Sequence, residues 1–195
     1  MTADPDWVRS SELHGPAFAE AESPRPQLVL FGAVELAAAL STLARAVGWR
    51  PYVVDPRHRF AIADRFPDAE DVLVAWPEEA FARIGGIDAT TAIAVLTHDP
   101  VLDDPALLIA LRSPASFVGA MGSRRTQAAR QERLLAAGLR EDELARLARP
   151  VGLDLGAHTA METALSILGE IVAVRNGRSG GRLTAADGSI RQVHA

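Results

Sequence analysis

The segment Gln27-Leu28-Val29-Leu30-Phe31-Gly32 is a short apolar run that ends at a glycine. Such a run is typical of a strand whose two faces are both buried, as in a parallel sheet. The Ala- and Leu-rich residues 35–47 follow at once and predict a helix, and the apolar residues 51–54, which end at Asp55, predict a second strand. Strand, helix and strand in this order predict a parallel βαβ unit.

The same alternation continues along the chain. Further apolar runs predict three more strands, at residues 72–75, 92–96 and 116–121. Periodic segments predict five more helices, at residues 77–84, 105–111, 124–137, 141–148 and 160–175. The sequence therefore predicts an α/β fold, a Rossmann-like doubly wound parallel sheet with helices on both faces.

The length of 195 residues suits one domain of this class. Residues 1–26 are rich in Ala, Glu, Pro and Ser without a regular period, so we predict a disordered or loosely docked tail or linker there. We predict a single domain over residues 27–180. A C-terminal tail is predicted over residues 181–195, after the glycine-rich residues 176–181.

The composition argues against several functions. Hydrophobic residues make up 48% and charged residues 23%, as in an ordinary soluble protein. The net charge of -5 gives no general attraction to nucleic acid. No apolar run reaches the roughly 18 residues of a membrane span, and the first residues lack the features of a secretory signal, so a cytoplasmic location is expected. The absence of cysteine excludes thiolate nucleophiles and zinc–thiolate sites in this sequence.

The turn after the first strand is a candidate ligand site, because ligands of doubly wound sheets bind beyond the carboxyl ends of the strands. A dinucleotide fingerprint needs glycine at its first, third and sixth positions. Gly32 supplies the first and Ala37 is an acceptable sixth, but Val34 occupies the third position and Glu35 adds a carboxylate beside it. The turn therefore supports the fold, while NAD(P) binding is weakened by Val34 and Glu35.

Asp55 lies 23 residues after Gly32, at the end of the second predicted strand. A carboxylate at this place binds the ribose of NAD in many dinucleotide-binding domains, whereas a nearby arginine such as Arg57 accommodates the 2′-phosphate of NADP. The alternative is that Asp55 is a turn residue before Pro56. Both interpretations remain open from the sequence.

The run Gly122-Ser123-Arg124-Arg125 connects the fifth predicted strand to a long helix. Ser123 is a plausible N-cap, and free N–H groups at the helix start form a potential anion site together with the two arginines. Arginine near a helix N-terminus opposes the helix dipole, and a bound phosphate would explain the pair. The alternative is a solvated pair that reaches a carboxylate, Glu132 or Asp154.

His98 and Asp99 follow the fourth predicted strand and are expected at the rim of the same crevice. A metal site would need at least three converging ligands. The sequence shows only His98, Asp99 and the more distant Asp103 locally, so no metal is predicted. For Asp103 and Asp104, which precede Pro105, helix capping is the favoured interpretation.

Two glycines surround Asp154 in the segment Gly152-Leu153-Asp154-Leu155-Gly156, which predicts a constrained loop. Asp154 either contacts a ligand or orders this loop. Thr159 and Glu162 have the spacing of a capping box and predict the start of the last helix.

Taken together, these segments resemble the C-terminal Rossmann domain of the XdhC/CoxI family, the xanthine dehydrogenase accessory factors. The resemblance runs from about residue 27 to residue 180. Its two most specific elements are the run Gly122–Arg125 and residues 152–157. Members usually have Gly-Ala-Gly-His at the first turn, where this chain has Gly32-Ala33-Val34-Glu35. Many members also carry an N-terminal module with a cysteine, which is not found in this sequence.

The resemblance implies a maturation factor, or chaperone, that binds molybdenum cofactor and assists its delivery to a xanthine- or carbon-monoxide-dehydrogenase-type molybdenum hydroxylase. A separate cysteine-bearing XdhC-type chain or a cysteine desulfurase would then supply any sulfur chemistry. Two alternatives remain: an NAD(P)-binding oxidoreductase that uses the same crevice, and a degenerate Rossmann scaffold that binds no ligand. The sequence favours a binding protein over an enzyme, and a helix face within residues 128–139 could pair two copies of the chain as a homodimer.

Overall fold

The computed structural model describes residues 25–185. Its six strands are β1 (Gln27–Phe31), β2 (Arg50–Val54), β3 (Asp71–Leu73), β4 (Ala92–Val95), β5 (Phe117–Ala120) and β6 (Leu147–Ala148). Its α-helices are α1 (Glu35–Ala46), α2 (Pro77–Arg83), α3 (Pro100–Arg112), α4 (Arg124–Ala136), α5 (Glu141–Leu144) and α6 (Ala160–Arg175). The tails predicted at the two ends lie mostly outside the described residues, which leave out 1–24 and 186–195.

The strands form one sheet in the order β3-β2-β1-β4-β5-β6, and every neighbouring pair is parallel. The order reverses at β1, where Phe31 lies between Val54 of β2 and Val95 of β4. This order is that of a doubly wound dinucleotide-binding sheet, so the predicted fold class is confirmed. The reversal places the ligand crevice beyond the carboxyl ends of β1 and β4.

The two faces of the sheet are covered by different helices, because alternate side chains of a strand point to opposite faces. Leu28 and Leu30 belong to the core under α1 and α6, whereas Val29 and Phe31 belong to the core under α2 and α3. All four side chains are buried, and each such burial stabilises the fold by roughly 1.5–3 kcal/mol. The central strand is thus held on both faces, which fixes the position of the turn that follows it.

Two predicted helices differ from the structure. The helix predicted at 141–148 ends at Leu144, and Leu147–Ala148 instead form β6 beside Val118 and Gly119. A strand of two residues is too short to leave a periodic pattern. The helix predicted from Pro105 begins five residues earlier, at Pro100, and contains Pro105 within it. A proline suits the first turn of a helix, and two prolines close together leave the sequence with two plausible starts.

Candidate functional site

All the predicted site residues lie at one edge of the sheet, where the strands end, either on loops or at the start of α4. Asp55 and Arg57 follow β2, Gly32 follows β1, and His98 and Asp99 follow β4. The run Gly122–Arg125 follows β5, and the loop that contains Asp154 follows β6. Because neighbouring strands are about 4.8 Å apart, roughly 10 Å separates the end of β1 from the end of β5. The fold therefore brings these residues to one edge, but spreads them along it.

The turn after β1 uses its own N–H groups within the chain. The N–H of Gly32 donates to the carbonyl of Val54 at 2.8 Å, and the N–H of Val34 donates to the carbonyl of Gly32 at 2.9 Å. The N–H of Ala33 donates to the carboxylate of Asp55 at 3.0 Å. In a dinucleotide-binding domain the backbone of this turn faces the pyrophosphate. Here three of these groups already have partners, which weakens the NAD(P) alternative further.

Gly32 is required by the backbone of this turn. Its φ is +110°, a conformation that L side chains rarely adopt, and an added Cβ would collide with the Cγ2 of Thr97. The glycine thus lets the turn pass close to the end of β4. The glycine at the first position of the fingerprint is therefore needed for the turn itself.

Asp55 is buried and ties the β1 turn to the loop after β2. Besides the N–H of Ala33, it accepts from the backbone N–H of Arg57 at 3.0 Å and from the guanidinium of Arg57 at 2.9 and 2.8 Å. Burial alone would raise the pKa of Asp55, but the hydrogen bonds from Arg57 and Ala33 outweigh it, so the pKa lies below the ordinary 3.8. The carboxylate is therefore ionised and fully engaged within the protein, which is the turn-stabilising role that the sequence left open.

A small, mostly apolar cleft opens between the ends of β1, β2 and β4. It is lined by Phe31, Gly32, Val54, Asp55, Pro56, Pro77, Thr97 and Leu102. Two of the predicted site residues, Gly32 and Asp55, thus share one cleft. The other predicted residues do not line it.

The loop after β4 contains the N-cap of α3. The carboxylate of Asp99 accepts from the N–H of Val101 at 3.1 Å, and the His98 side chain is exposed. The capping role that the sequence favoured for Asp103 and Asp104 is wrong, because both lie inside α3 and form ion pairs with α4. The cap belongs to Asp99, one residue before the helix actually begins.

Asp103 belongs to a group of buried polar side chains that the sequence did not indicate. We call Thr97, Asp103, Gln127 and Arg130 the buried network. Asp103 accepts from the hydroxyl of Thr97 and from the guanidinium of Arg130, the latter at 2.8 Å. Burial raises the pKa of Asp103 above its ordinary value, although these two hydrogen bonds oppose the rise. The partners of the ion pair are 27 residues apart, a distance at which no sequence pattern shows a contact.

The run Gly122–Arg125 forms the start of α4. Ser123 is the N-cap, as predicted, and its hydroxyl accepts from the N–H of Thr126 at 3.2 Å. The side chains of Arg124 and Arg125 are exposed, and within residues 25–185 neither forms an ion pair or a hydrogen bond. The expected alternative, a pair that reaches Glu132 or Asp154, is therefore not observed.

The backbone at the start of α4 also keeps free donors. Over the described part of the chain, the N–H groups of Ser123, Arg124 and Arg125 have no hydrogen-bond partner. Unused N–H groups at a helix start, together with the positive end of the helix dipole, favour an anion. The two unpaired guanidinium groups add positive charge at the same place. Of the loops at this edge, the one after β5 is best suited to hold a phosphate.

The loop after β6 is ordered by backbone contacts. Gly152, with a φ of +117°, donates its N–H to the carboxylate of Glu170 at 2.6 Å. The side chain of Asp154 is exposed and forms no hydrogen bond or ion pair within the described residues. The capping box predicted for Thr159 and Glu162 is present at the start of α6. Asp154 therefore does not order its own loop through its side chain.

Residues 25–185 contain neither a cluster of metal-ligating side chains nor a helix of membrane-spanning character. No group of three His, Asp or Glu side chains there is placed to hold a metal ion. None of the helices in that range is long and apolar enough to cross a bilayer.

The Rossmann-type parallel sheet, in the order β3-β2-β1-β4-β5-β6, defines the class of this protein. The chain belongs to the XdhC family, because the family model described as the XdhC Rossmann domain matches residues 28–171. The resemblance found in the sequence is thereby confirmed, and the matched residues include most of β1 and most of α6.

Similar proteins support this assignment. A Bacillus subtilis protein described as a probable xanthine dehydrogenase subunit is 29% identical, over 85% of this chain and 50% of that protein. The Escherichia coli molybdenum cofactor insertion chaperone PaoD is 30% identical, over 78% of this chain and 41% of PaoD. A crystal structure described as a xanthine dehydrogenase from Bacillus halodurans has a TM-score of 0.67 and 29% identity, over 84% of this chain and 46% of that chain. The chain thus spans at most half the length of these three relatives.

Proposed function

We propose that this chain is a maturation factor that binds molybdenum cofactor, a phosphate-bearing pyranopterin, and assists its delivery to a molybdenum hydroxylase of the xanthine- or carbon-monoxide-dehydrogenase type. The observation that carries the proposal is the start of α4, where Arg124, Arg125 and free N–H groups are available to an anion. The names of two relatives, a molybdenum cofactor insertion chaperone and a probable xanthine dehydrogenase subunit, point in the same direction.

The donors present fit the phosphate of this cofactor. Arg124 and Arg125 would hold it, together with the N–H groups of the first turn of α4, because guanidinium groups and helix starts both bind phosphate well. When bound, the cofactor would supply the molybdenum chemistry of the client enzyme. This chain would hold the cofactor and release it, and we propose that it does so in the cytoplasm.

The sulfur of the cofactor would come from another protein. The sequence contains no cysteine, so no side-chain thiolate of this chain can carry a persulfide. We propose that a cysteine desulfurase or a separate cysteine-bearing XdhC-type chain acts beside it, with the molybdenum hydroxylase as the client.

Cofactor binding by purified protein tests the proposal. Molybdenum cofactor released anaerobically from a molybdenum hydroxylase is mixed with the chain, and the bound pterin is measured after gel filtration by its fluorescence on oxidation. We expect the Arg124→Ala/Arg125→Ala variant to bind at least tenfold more weakly, because each charged hydrogen bond contributes about 1.5–3 kcal/mol. The matched control is Arg83→Ala/Arg112→Ala, which removes the same charge at the C-terminal ends of α2 and α3, on the opposite edge of the sheet. Equal binding by the two double variants would disprove the site.

A further inference from the structure

The edge of the sheet at which the strands end, and where all the candidate site residues lie, is called the ligand edge below. The buried network lies directly beneath two neighbouring segments of this edge, those that follow β4 and β5. At the end of β4, the hydroxyl of Thr97 donates to Asp103. At the end of β5, Arg130 donates to the carbonyl of Met121 at 3.0 Å and to the side chain of Gln127 at 2.6 Å. Gln127 in turn donates to the carbonyl of Ala120 at 2.9 Å. The network therefore connects the loop that contains His98 and Asp99 to the segment that leads from β5 to Arg124 and Arg125 at the start of α4.

Stability alone is a poor explanation for this arrangement. The side chains of Asp103 and Arg130 are each 1% exposed, so both charges are taken out of water. The attraction within a buried ion pair often only offsets this desolvation, and apolar side chains of similar volume can stabilise a core equally well. The Nε of Arg130 moreover has no hydrogen-bond partner in the described part of the chain, an additional cost.

A second ion pair joins the same two helices and provides a comparison. Asp104 comes directly after Asp103 in α3, and Arg133 lies one helical turn after Arg130 in α4. The guanidinium of Arg133 donates to the carboxylate of Asp104 at 2.6 and 3.1 Å, so this pair also connects α3 to α4. This pair lies toward solvent and contacts neither strand end. The helices α3 and α4 are therefore also joined by an ion pair that has no part in the buried network. What distinguishes the buried pair is its contact with the ends of β4 and β5.

We infer that Asp103 and Arg130 are positioning residues for the ligand edge: they fix residues 121–125 against residues 97–99, so that Arg124 and Arg125 are presented to an anion in one arrangement. Arg130 is suited to this role because its planar guanidinium donates in several fixed directions at once, to Asp103, Gln127 and Met121. The inference rests on the proposed function for its ligand, but the order of the loop can be measured without any ligand.

Amide hydrogen exchange of the ligand-free protein tests the positioning. In Arg130→Gln we expect exchange at Met121, Thr126 and Gln127 to be faster by about tenfold or more, because the charged hydrogen bonds that hold the loop are lost. In the control Arg133→Gln, which removes the same charge from the same helix, these amides should change by less than about twofold. Equal exchange in the two variants would overturn the inference. If Arg130→Gln fails to fold, Arg130→Lys serves instead, since lysine keeps the charge but lacks the planar guanidinium that donates in several fixed directions.

Cofactor binding then tests whether the positioning matters for the ligand. We expect Arg130→Gln to weaken binding of molybdenum cofactor by about tenfold, and Arg133→Gln to leave it nearly unchanged. In the Arg124→Ala/Arg125→Ala background, Arg130→Gln should cause no further loss, because a residue that acts through those arginines has nothing left to position. Additive losses would overturn the inference.

The apolar double variant Asp103→Leu/Arg130→Met separates positioning from stability. We expect its melting temperature to fall no further than that of Asp104→Leu/Arg133→Met, while its binding of the cofactor is lost. Retained binding would contradict the positioning role. If the wild-type protein itself bound no cofactor, the proposed function would fail, whereas the exchange measurements would still decide whether the buried pair orders the loop.

Discussion

Gly32 shows how a single residue determines the shape of the ligand edge. Replacing it with alanine combines a backbone strained at a φ of +110° with a Cβ that meets the Cγ2 of Thr97. We expect Gly32→Ala to lower the free energy of unfolding by roughly 2–4 kcal/mol, measured by urea denaturation. Gly85→Ala is the control, because Gly85 also has a positive φ but open space around it, and it should cost only about 1–2 kcal/mol.

The same clash predicts a rescue. Thr97→Ser removes the Cγ2 and keeps the hydroxyl that donates to Asp103. In the Gly32→Ala background, Thr97→Ser should therefore recover about 1 kcal/mol or more of the lost stability, as judged from a double-mutant cycle. If the two substitutions simply add, the collision with Thr97 is not the cause.

Asp55 gives the protein a defined dependence on pH. The folded pKa of Asp55 lies below its ordinary 3.8, so its stabilising contribution is present at pH values above about 4 and is lost as the pH falls through the folded pKa. We expect Asp55→Asn to be less stable than the wild type by about 1.5–3 kcal/mol at pH 7, in urea unfolding. As the pH falls below about 4 and through the folded pKa, this difference should shrink. A difference independent of pH would mean that the charge of Asp55 contributes nothing.

At the scale of elements, the last helix depends on its capping box. The hydroxyl of Thr159 accepts from the N–H of Glu162 at 3.1 Å, and the carboxylate of Glu162 accepts from the N–H groups of Thr159 and His158. These backbone hydrogen bonds hold the pKa of Glu162 below its ordinary value. Thr159→Ala should lower the free energy of unfolding by about 1 kcal/mol. Thr90→Ala, in the loop before β4, is the control, because it removes the same side chain outside the helix. If thermal melts show that the two variants lose equal stability, the prediction is contradicted.

The elements that the sequence predicted are those with strong local signals. The strands β1, β2, β4 and β5 are apolar runs, and α4 and α6 begin at recognisable caps, Ser123 and Thr159, so their bounds are close to those predicted. The strand β6 was missed because two residues carry no period, and its pairing with β5 is a tertiary event. The buried network was missed for the same reason: Asp103 looks like a surface acid in a polar loop until α4 packs over it.

For the candidate site, the sequence likewise predicted the positions of the loops but not the hydrogen bonds within them. Sequence spacing correctly placed the candidate loops at one edge, because parallel strands end at one edge of their sheet. It could not show that the carboxylate of Asp55 and the turn amides of Gly32, Ala33 and Val34 are used within the protein, since these hydrogen bonds depend on exact positions of distant backbone groups. Ligand contact stays a prediction for every candidate residue, that is for Gly32, Asp55, Arg57, His98, Asp99, Gly122, Ser123, Arg124, Arg125 and Asp154.

At the scale of the whole molecule, the ligand edge has two ends with different properties. At β2 and β1 the polar groups satisfy one another, as in the contacts of Asp55 with Ala33 and Arg57. At β5 the start of α4 keeps free N–H groups and, within residues 25–185, two unpaired arginines. A dinucleotide needs the first end for its pyrophosphate and ribose, whereas a ligand with one phosphate can use the second. The architecture is thus that of a dinucleotide-binding domain, with the proposed anion site displaced along the sheet.

This displacement predicts weak binding of nicotinamide dinucleotides. Fluorescence titration with NADH and NADPH should give dissociation constants above about 1 mM, which corresponds to a binding free energy of only about 4 kcal/mol. Binding is expected to be this weak because the turn amides that would face the pyrophosphate already have partners within the protein. Inorganic pyrophosphate, which can use the start of α4 alone, should compete with bound molybdenum cofactor, and Arg124→Ala/Arg125→Ala should abolish that competition. Micromolar saturation by NADPH that survives in this double variant would place the anion site back at the β1 turn. The oxidoreductase alternative would then account for the crevice better than cofactor hand-over does.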